Sequence, residues 1–311
     1  MAATSRLYGG IEAGGTKFVC AVGETPQAIQ ASTSIPTTTP TATLNQVIAF
    51  FRSYPIYSLG LATFGPIDLD RDSPTYGHIL STPKLAWQEC PIVHILHTAL
   101  RVPVAVDTDV NAAAMAEATY GAGRGDDPIV YLTVGTGIGG GAIIHGYPLH
   151  GLMHPEMGHM LLARVPSDTQ PSGCSFHEDC LEGLASGRAI EVRFGAPATL
   201  PPEHEVWRLE AAYLGQALAT IVTILSPQRI IIGGGVMHQP SLLPHIRKVC
   251  AQALHGYLPR LKTPHDFEAY IVAPALGDRA GVIGALHLAQ EVYSRASVRD
   301  EMSDEPTTPE S

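Results

Sequence analysis

An α/β fold of two related lobes is what this 311-residue sequence predicts, and three observations carry the expectation. Short apolar runs alternate with glycine-bearing turns, which reads as strands with tight connections. Longer segments between them space their apolar residues at helical intervals. The strand-then-helix rhythm occurs twice, once up to about Arg101 and again after Asp127, each time opening on a strand with clustered glycines. Two related lobes with a cleft between them would explain that duplication.

The elements take this order. LYGGIEAGG and TKFVCAVGE read as strands joined by a glycine turn, and TATLNQVIAFFRSY as a helix. SLGLATFGPIDL, VPVAVDTDV, IVYLTVGTG and GAIIHG read as further strands, with helices at PIVHILHTALR and NAAAMAEATYGAG. VWRLEAAYLGQALATIVTILS is a long helix that stops before Pro227, because proline lacks the amide hydrogen a helix needs. Residues 164–178, RVPSDTQPSGCSFHE, break the rhythm and offer little apolar surface, so something other than burial has to hold them. The acidic, Ser/Thr/Pro-bearing stretch from Ser297 reads as a disordered tail.

Composition narrows the function. With 45% hydrophobic and 15% charged residues the chain can bury a sizeable core. A formal charge of -10 leaves no broad basic surface for a nucleic acid. The N-terminal stretch has no basic flank followed by an apolar segment, and no apolar run approaches the roughly 18 residues of a membrane span. A soluble, cytoplasmic protein is expected. Five cysteines are an odd number for a disulfide framework, and Cys20, Cys90 and Cys250 read as ordinary reduced thiols.

Three glycine clusters each close an apolar strand. In GGIEAGGTK, residues 9–17, Gly14 and Gly15 would let backbone N–H groups approach phosphate oxygens, with the Thr16 hydroxyl and the Lys17 ammonium beside them. The order differs from a Walker loop, and a strand follows rather than a helix; a plain hairpin turn fits the same residues. In TVGTGIGGG, residues 133–141, Gly135, Gly137 and Gly140 match a dinucleotide fingerprint, with Glu156 near the ribose-acid distance. That fingerprint must open a helix, whereas here an alternating, strand-like segment follows, which argues against a nicotinamide cofactor. In IIIGGGVM, Gly233 to Gly235 could open a helix and receive a flat adenine or a phosphate, or simply end a strand.

Acid/base and metal chemistry have candidates of their own. Asp107, Asp109 and Asn111 alternate where a strand gives way to an alanine-rich helix. Asp109 suits a general base that accepts a hydroxyl proton during phosphoryl transfer, and it equally suits a helix cap. HPEMGH, residues 154–159, precedes Cys174, His177 and Cys180 in C-x-x-H-x-x-C spacing, so His159, Cys174, His177 and Cys180 make a Cys2His2 zinc set. His145, His150 and His154 lie near enough in sequence to leave the fourth ligand open. A bound zinc would hold residues 164–178. Glu156 and Glu182 flank that loop as partners for sugar hydroxyls, or as solvated surface acids.

Taken together, GGIEAGGTK, FGPIDL, TPKLAW, DTDVNAAAMAE, TVGTGIGGG, HPEMGH, CLEGLASG, IIGGGV and PALGDRAGVIGA resemble the ROK family of sugar kinases, and within it the bacterial fructokinases. The resemblance runs from about Tyr8 to about Ala289. It implies a two-lobed actin-like ATPase (ribonuclease H-like) fold: residues 1–115 with a returning helix near 280–296, residues 116–279 as the second lobe, and residues 297–311 as tail. It implies ATP and Mg2+, Asp109 as catalytic base, and Gly14, Gly15, Thr16, Lys17, Thr133, Gly135, Thr136 and Gly137 around the phosphates. Gly234 and Gly235 would lie near adenosine, and Gly65, Thr108, Asp109, Glu156, His159 and Glu182 around the sugar. His159, Cys174, His177 and Cys180 match the family's structural Zn2+ site, and a homodimer is the usual assembly.

Two positions depart from the commoner family pattern: Glu12 stands where many members have Asp, and Asp107-Thr108 where many have Glu-Asn. With TPKLAW they resemble the fructokinase branch, so ATP-dependent phosphorylation of fructose at its C6 hydroxyl is expected, ahead of glucose, mannose or an N-acetylhexosamine. A sugar-sensing regulator of the same family would carry a DNA-binding module ahead of the first glycine motif, where only a few residues stand.

Overall fold

The computed structural model describes the backbone of residues 6–303 and the side chains of residues 6–294. The chain forms two compact units, one of Met1–Ala116 with Arg279–Ser311 and the other of Glu117–Asp278.

In the first unit β1 (Leu7–Ala13) and β2 (Lys17–Thr25) form an antiparallel hairpin, which β3 (Ala28–Pro36) extends along its outer edge. α1 (Pro40–Phe51) starts where the Thr39 hydroxyl accepts the Ala42 N–H and Pro40 presets the first turn. β4 (Ile56–Thr63), α2 (Ile92–Leu100) and β5 (Val104–Thr108) follow, and α3 (Asp109–Tyr120) comes straight after β5. β1, β4 and β5 run parallel, giving the order β3-β2-β1-β4-β5.

The middle strands are buried on both faces, so they read as continuous apolar runs rather than alternations. Strand alternation turns Gly9 toward Phe51 of α1 and Gly10 toward Leu286. One face therefore packs Phe18, Leu59 and Leu61 with Leu44, Val47, Phe51, Ile92 and Leu96. The other packs Tyr8 and Ala21 with Val282, Leu286 and Ala289 of the returning C-terminal helix.

The second unit opens on β6 (Ile129–Val134), β7 (Ile138–Ile144) and β8 (Tyr147–Pro148), an antiparallel run. α4 (Leu181–Ala185), α5 (Gly187–Phe194) and α6 (Val206–Leu225) follow, and α6 ends at Ser226 in a left-handed conformation just before Pro227. β9 (Arg229–Gly233) pairs parallel with β6, and after α7 (Leu242–Leu254) and α8 (Pro264–Tyr270), β10 (Ile271–Val272) pairs parallel with β9. Read from its antiparallel edge this sheet runs β8-β7-β6-β9-β10, the same plan as the first. The doubled rhythm of the sequence is thus a doubled topology.

Glu117, within α3, is fully buried. Its carboxylate accepts N–H groups from Ala122 at 2.7 Å, Leu276 at 2.8 Å and Ala275 at 3.1 Å, which joins the start of the second unit to its end. α9 (Ala280–Ser303) then returns to the first unit. It lies so close to β4 that a side chain on Gly60 would overlap the Ala285 carbonyl, and the Ser58 hydroxyl bonds the Ala289 carbonyl at 2.6 Å. The helix continues to Ser303, so the first residues of the expected tail are helical; the remainder lies outside the described residues. Among the described residues no helix is long and apolar enough to cross a membrane.

Candidate functional site

In the first unit, strand register gathers the predicted residues at one end of one sheet. Ala13 pairs with Thr63 and Thr63 with Thr108, so three parallel strands end on one line. The residues immediately beyond that line are Gly14 to Thr16, Phe64 and Gly65, and Asp109. Lys17 opens β2 on the far side of the turn. The turn is fastened at 3.0 Å by the Gly14 N–H to the Lys17 carbonyl, and at 2.8 Å by the Thr37 hydroxyl to the Gly14 carbonyl. The Phe64 N–H bonds the Ala13 carbonyl at 2.9 Å. Thr16 and Lys17 are exposed.

The cap question at α3 resolves in favour of a neighbour of Asp109. Thr108 Oγ1 accepts the Asn111 N–H at 3.1 Å, the usual bond of an N-cap, and Asp107 Oδ1 accepts the Thr108 N–H at 2.7 Å and the Asn111 side-chain amide at 2.8 Å. Asp109 Oδ1 takes the adjacent Val110 N–H, at 2.9 Å. Asp107 and Thr108 are buried, and Asp109 is half-buried. Burial raises the Asp109 carboxyl to about 6, opposed by the N–H groups of Val110 and of Asp109 itself. A carboxylate so tuned can accept a proton near neutral pH. Glu12, the family departure, sets its carboxylate against Gly281 in the first turn of α9.

In the second unit, the second and third glycine clusters meet. β6 and β9 are parallel neighbours with Thr133 opposite Gly233, so Gly135, Thr136 and Gly137 start beside Gly234 and Gly235. Gly135 to Gly137 close an antiparallel hairpin and open no helix, which excludes the dinucleotide arrangement. The Gly135 and Thr136 carbonyls accept the N–H groups of Gly187 and Arg188 at 2.7 and 3.0 Å. Glu182 accepts the Ile138 N–H at 2.9 Å, so it is half-buried against this turn rather than a solvated acid. Gly234 has φ +97 and packs on the Val134 backbone, a position open only to glycine. A 3-10 turn, Gly235–His238, follows where the sequence allowed a helix to open.

The metal-ligand set is assembled in the same unit. Donor atoms of His159, Cys174, His177 and Cys180 all lie within 4.8 Å of one another. His159 Nδ1 is 3.9 Å from Cys174 Sγ and 3.8 Å from Cys180 Sγ, and His177 Nδ1 is 4.0 Å from Cys174 Sγ. Ligands about 2.0–2.3 Å from a tetrahedral zinc stand roughly 3.3–3.8 Å apart, so these three pairs need little contraction to fit. The Phe176 and Gly183 N–H groups donate to Cys174 and Cys180 Sγ at 3.4 and 3.3 Å, as expected around thiolate ligands. His145 faces Asp127 at 3.4 Å, and buried His154 faces Glu156 at 3.5 Å. Neither joins the cluster.

Sequence reasoning missed what braces this loop. Arg164 bonds Asp179 at 2.7 Å and the carbonyls of Gln170 and Glu178 at 2.7 and 2.9 Å. Beneath it the side chain of Asp168 is fully enclosed, paired with Arg193 and bonded by the Tyr213 hydroxyl at 2.5 Å. Burial pushes the Asp168 carboxyl up, yet hydrogen bonds from Arg193 and Tyr213 hold it below the ordinary value. Glu210 is shut in beside them, and burial raises its carboxyl well above the usual range.

The model of the ROK family matches residues 8–292. A fructokinase of Zymomonas mobilis is 45% identical over 91% of this chain and 96% of its own length. One of Pediococcus pentosaceus is 40% identical over 93% of this chain and 100% of its own length. The crystal structure of a ROK hexokinase from Thermus thermophilus superposes with a TM-score of 0.73 at 28% identity, covering 94% of this chain and 99% of that one. With a duplicated α/β topology, a register that lines up the motifs, and a family match over most of its length, the chain belongs to the ROK family.

Proposed function

We propose that this protein transfers the γ-phosphoryl group of ATP to the C6 hydroxyl of fructose, giving fructose 6-phosphate and ADP. Relatives named fructokinase at 40 to 45% identity over nearly the whole chain support the substrate. The single observation that carries the chemistry is the register line Ala13, Thr63, Thr108, which sets Asp109 at the same sheet end as the first glycine turn. Asp109 acts as the base: its carboxylate accepts the C6 hydroxyl proton as that oxygen bonds the γ-phosphorus in line and the bond to the ADP oxygen breaks. Gly14, Gly15, Thr16 and Lys17 contact phosphate, as do Thr133, Gly135, Thr136 and Gly137; Gly234 and Gly235 receive the adenosine. Mg2+ accompanies the nucleotide and neutralises phosphate charge.

Gly65, Thr108, Glu156, His159 and Glu182 make up the sugar contacts of this reading, with His159 also a zinc ligand. Zinc on His159, Cys174, His177 and Cys180 is structural in it, since four protein ligands leave no open position. Metal analysis of the folded chain should find close to one equivalent. The homodimer of the family resemblance belongs to the reading too, and light scattering of the eluted protein tests it.

The deciding experiment is ADP release with ATP and Mg2+ across fructose, glucose, mannose and N-acetylated hexosamines. Fructose is expected to be preferred, and Asp109→Asn to lower kcat by roughly 100- to 10,000-fold, the range of general-base catalysis. Turnover within a few fold of wild type in a folded Asp109→Asn protein would remove Asp109 from the role. Preference for another hexose would overturn the substrate alone.

A further inference from the structure

TPKLAW, residues 82–87, is the motif that the reading above leaves without a task. It is built rigidly. Trp87 is buried and packs between Phe18 and Phe64, with ring centroids 5.3 and 5.7 Å away. Its indole N–H bonds the Thr38 carbonyl at 2.8 Å, and its backbone N–H bonds the Lys84 carbonyl at 2.7 Å. Gln88 fixes the other end through the Thr82 carbonyl at 2.9 Å. Phe18 lies in β2 just past the first glycine turn and Phe64 follows β4, so Trp87 is wedged between the segment that carries the first phosphate motif and the one that carries Gly65.

The product of this anchoring is the placement of Lys84. Its Cε lies 2.9 Å, and its Nζ 3.7 Å, from the point a Cβ on Gly15 would occupy, and nothing else outside the turn comes within 4 Å of that point. The missing side chain of Gly15 is therefore room for the Lys84 stem. Lys84 is half-buried, and among the described residues its ammonium forms no ion pair, in a chain whose formal charge is -10. A cation held over bare backbone at the end of parallel strands, with no carboxylate of its own, suits an anion that arrives with a substrate.

We propose that Lys84 contacts the phosphoryl group in transit and neutralises its charge as the bond to ADP breaks and the bond to the hexose oxygen forms. This rests on the kinase reading above. An ammonium that interacts more strongly with the transition state than with bound substrate lowers kcat when removed, and leaves sugar binding nearly unchanged.

The test is steady-state kinetics of wild type, Lys84→Met, Lys84→Arg, Gly15→Ala, and Gly15→Ala with Lys84→Met, alongside thermal unfolding of each. Lys84→Met is expected to lower kcat about 100-fold, as loss of one transition-state donor does. The KM for fructose should stay within about threefold and the unfolding midpoint should not move. Lys84→Arg should recover at least about tenfold over Met by restoring the charge. Gly15→Ala, which displaces the lysine stem, should slow the wild type far more than it slows Lys84→Met, because both changes break one contact. Three results would overturn the proposal: kcat of Lys84→Met within about threefold of wild type, a loss confined to the KM for fructose, or equal losses in Met and Arg with a lowered midpoint. A wild type inactive on every hexose would instead bring down the kinase reading, and this assignment with it.

Discussion

Asp109 and Glu210 are two carboxyls raised by the same force, burial, for different ends. In the proposed reaction Asp109, at the end of its sheet, takes the proton of the substrate hydroxyl, so its titration should appear in the rate. With its carboxyl raised to about 6, kcat/KM is expected to fall as pH drops below about 6 and to level off above it. A limb near the ordinary carboxylate value would disconnect the raised group from the reaction. Glu210 is enclosed next to Arg193 and Asp168, so its titration should appear in stability. Above its ordinary value of 4.5 the unfolded chain releases that proton while the folded chain keeps it. Wild type should therefore lose stability relative to Glu210→Gln as pH rises from about 4.5, and denaturant melts of both proteins at several pH values would show it. A constant difference across pH would mean that the folded carboxyl titrates normally.

Elements differ in how openly the sequence declares them. α6 was legible because twenty residues of helical spacing run up to Pro227, and the middle strands because burial on both faces leaves them apolar. β3 was not: only Ile35 is buried along it, and an edge strand with water on its outer side carries the polar residues of a loop. β8 and β10, at two residues each, are shorter than any periodicity. The Cys and His of the candidate metal cluster announced themselves by spacing, and only the fourth ligand, open among His145, His150, His154 and His159, needed coordinates. The braces of that loop come from residues far apart in sequence, and no local pattern pairs Asp168 with Arg193. Arg193→Met should destabilise the fold by about 3–5 kcal/mol, because it strands a buried carboxylate, and urea melts would measure that. A chelator should lower the unfolding midpoint of wild type and leave Cys180→Ser, which lacks a ligand, where it was.

For the molecule as a whole, the duplicated topology was visible as a rhythm, and the three glycine motifs because each sits where a strand ends. Glu117 was hidden in plain view within DTDVNAAAMAE: nothing in an alanine-rich helix says that one acid will collect a nearby amide hydrogen and two from distant chain. Glu117→Gln should cost about 1.5–3 kcal/mol if it weakens the equivalent of one charge-assisted bond. Calorimetry would test this, and an unchanged midpoint would show that the amide serves as well.

That carboxylate has a mechanical meaning. β1 and α9 both belong to the first unit, so a pull applied through these two elements loads β1, β4 and α9 before any tension passes α3. Only when those have sheared does force reach the Glu117 clasp, where the second unit is tied at its neck like a purse. Stretched between two handles, the protein should give way in two steps, and Glu117→Gln should weaken the second while leaving the first as it was.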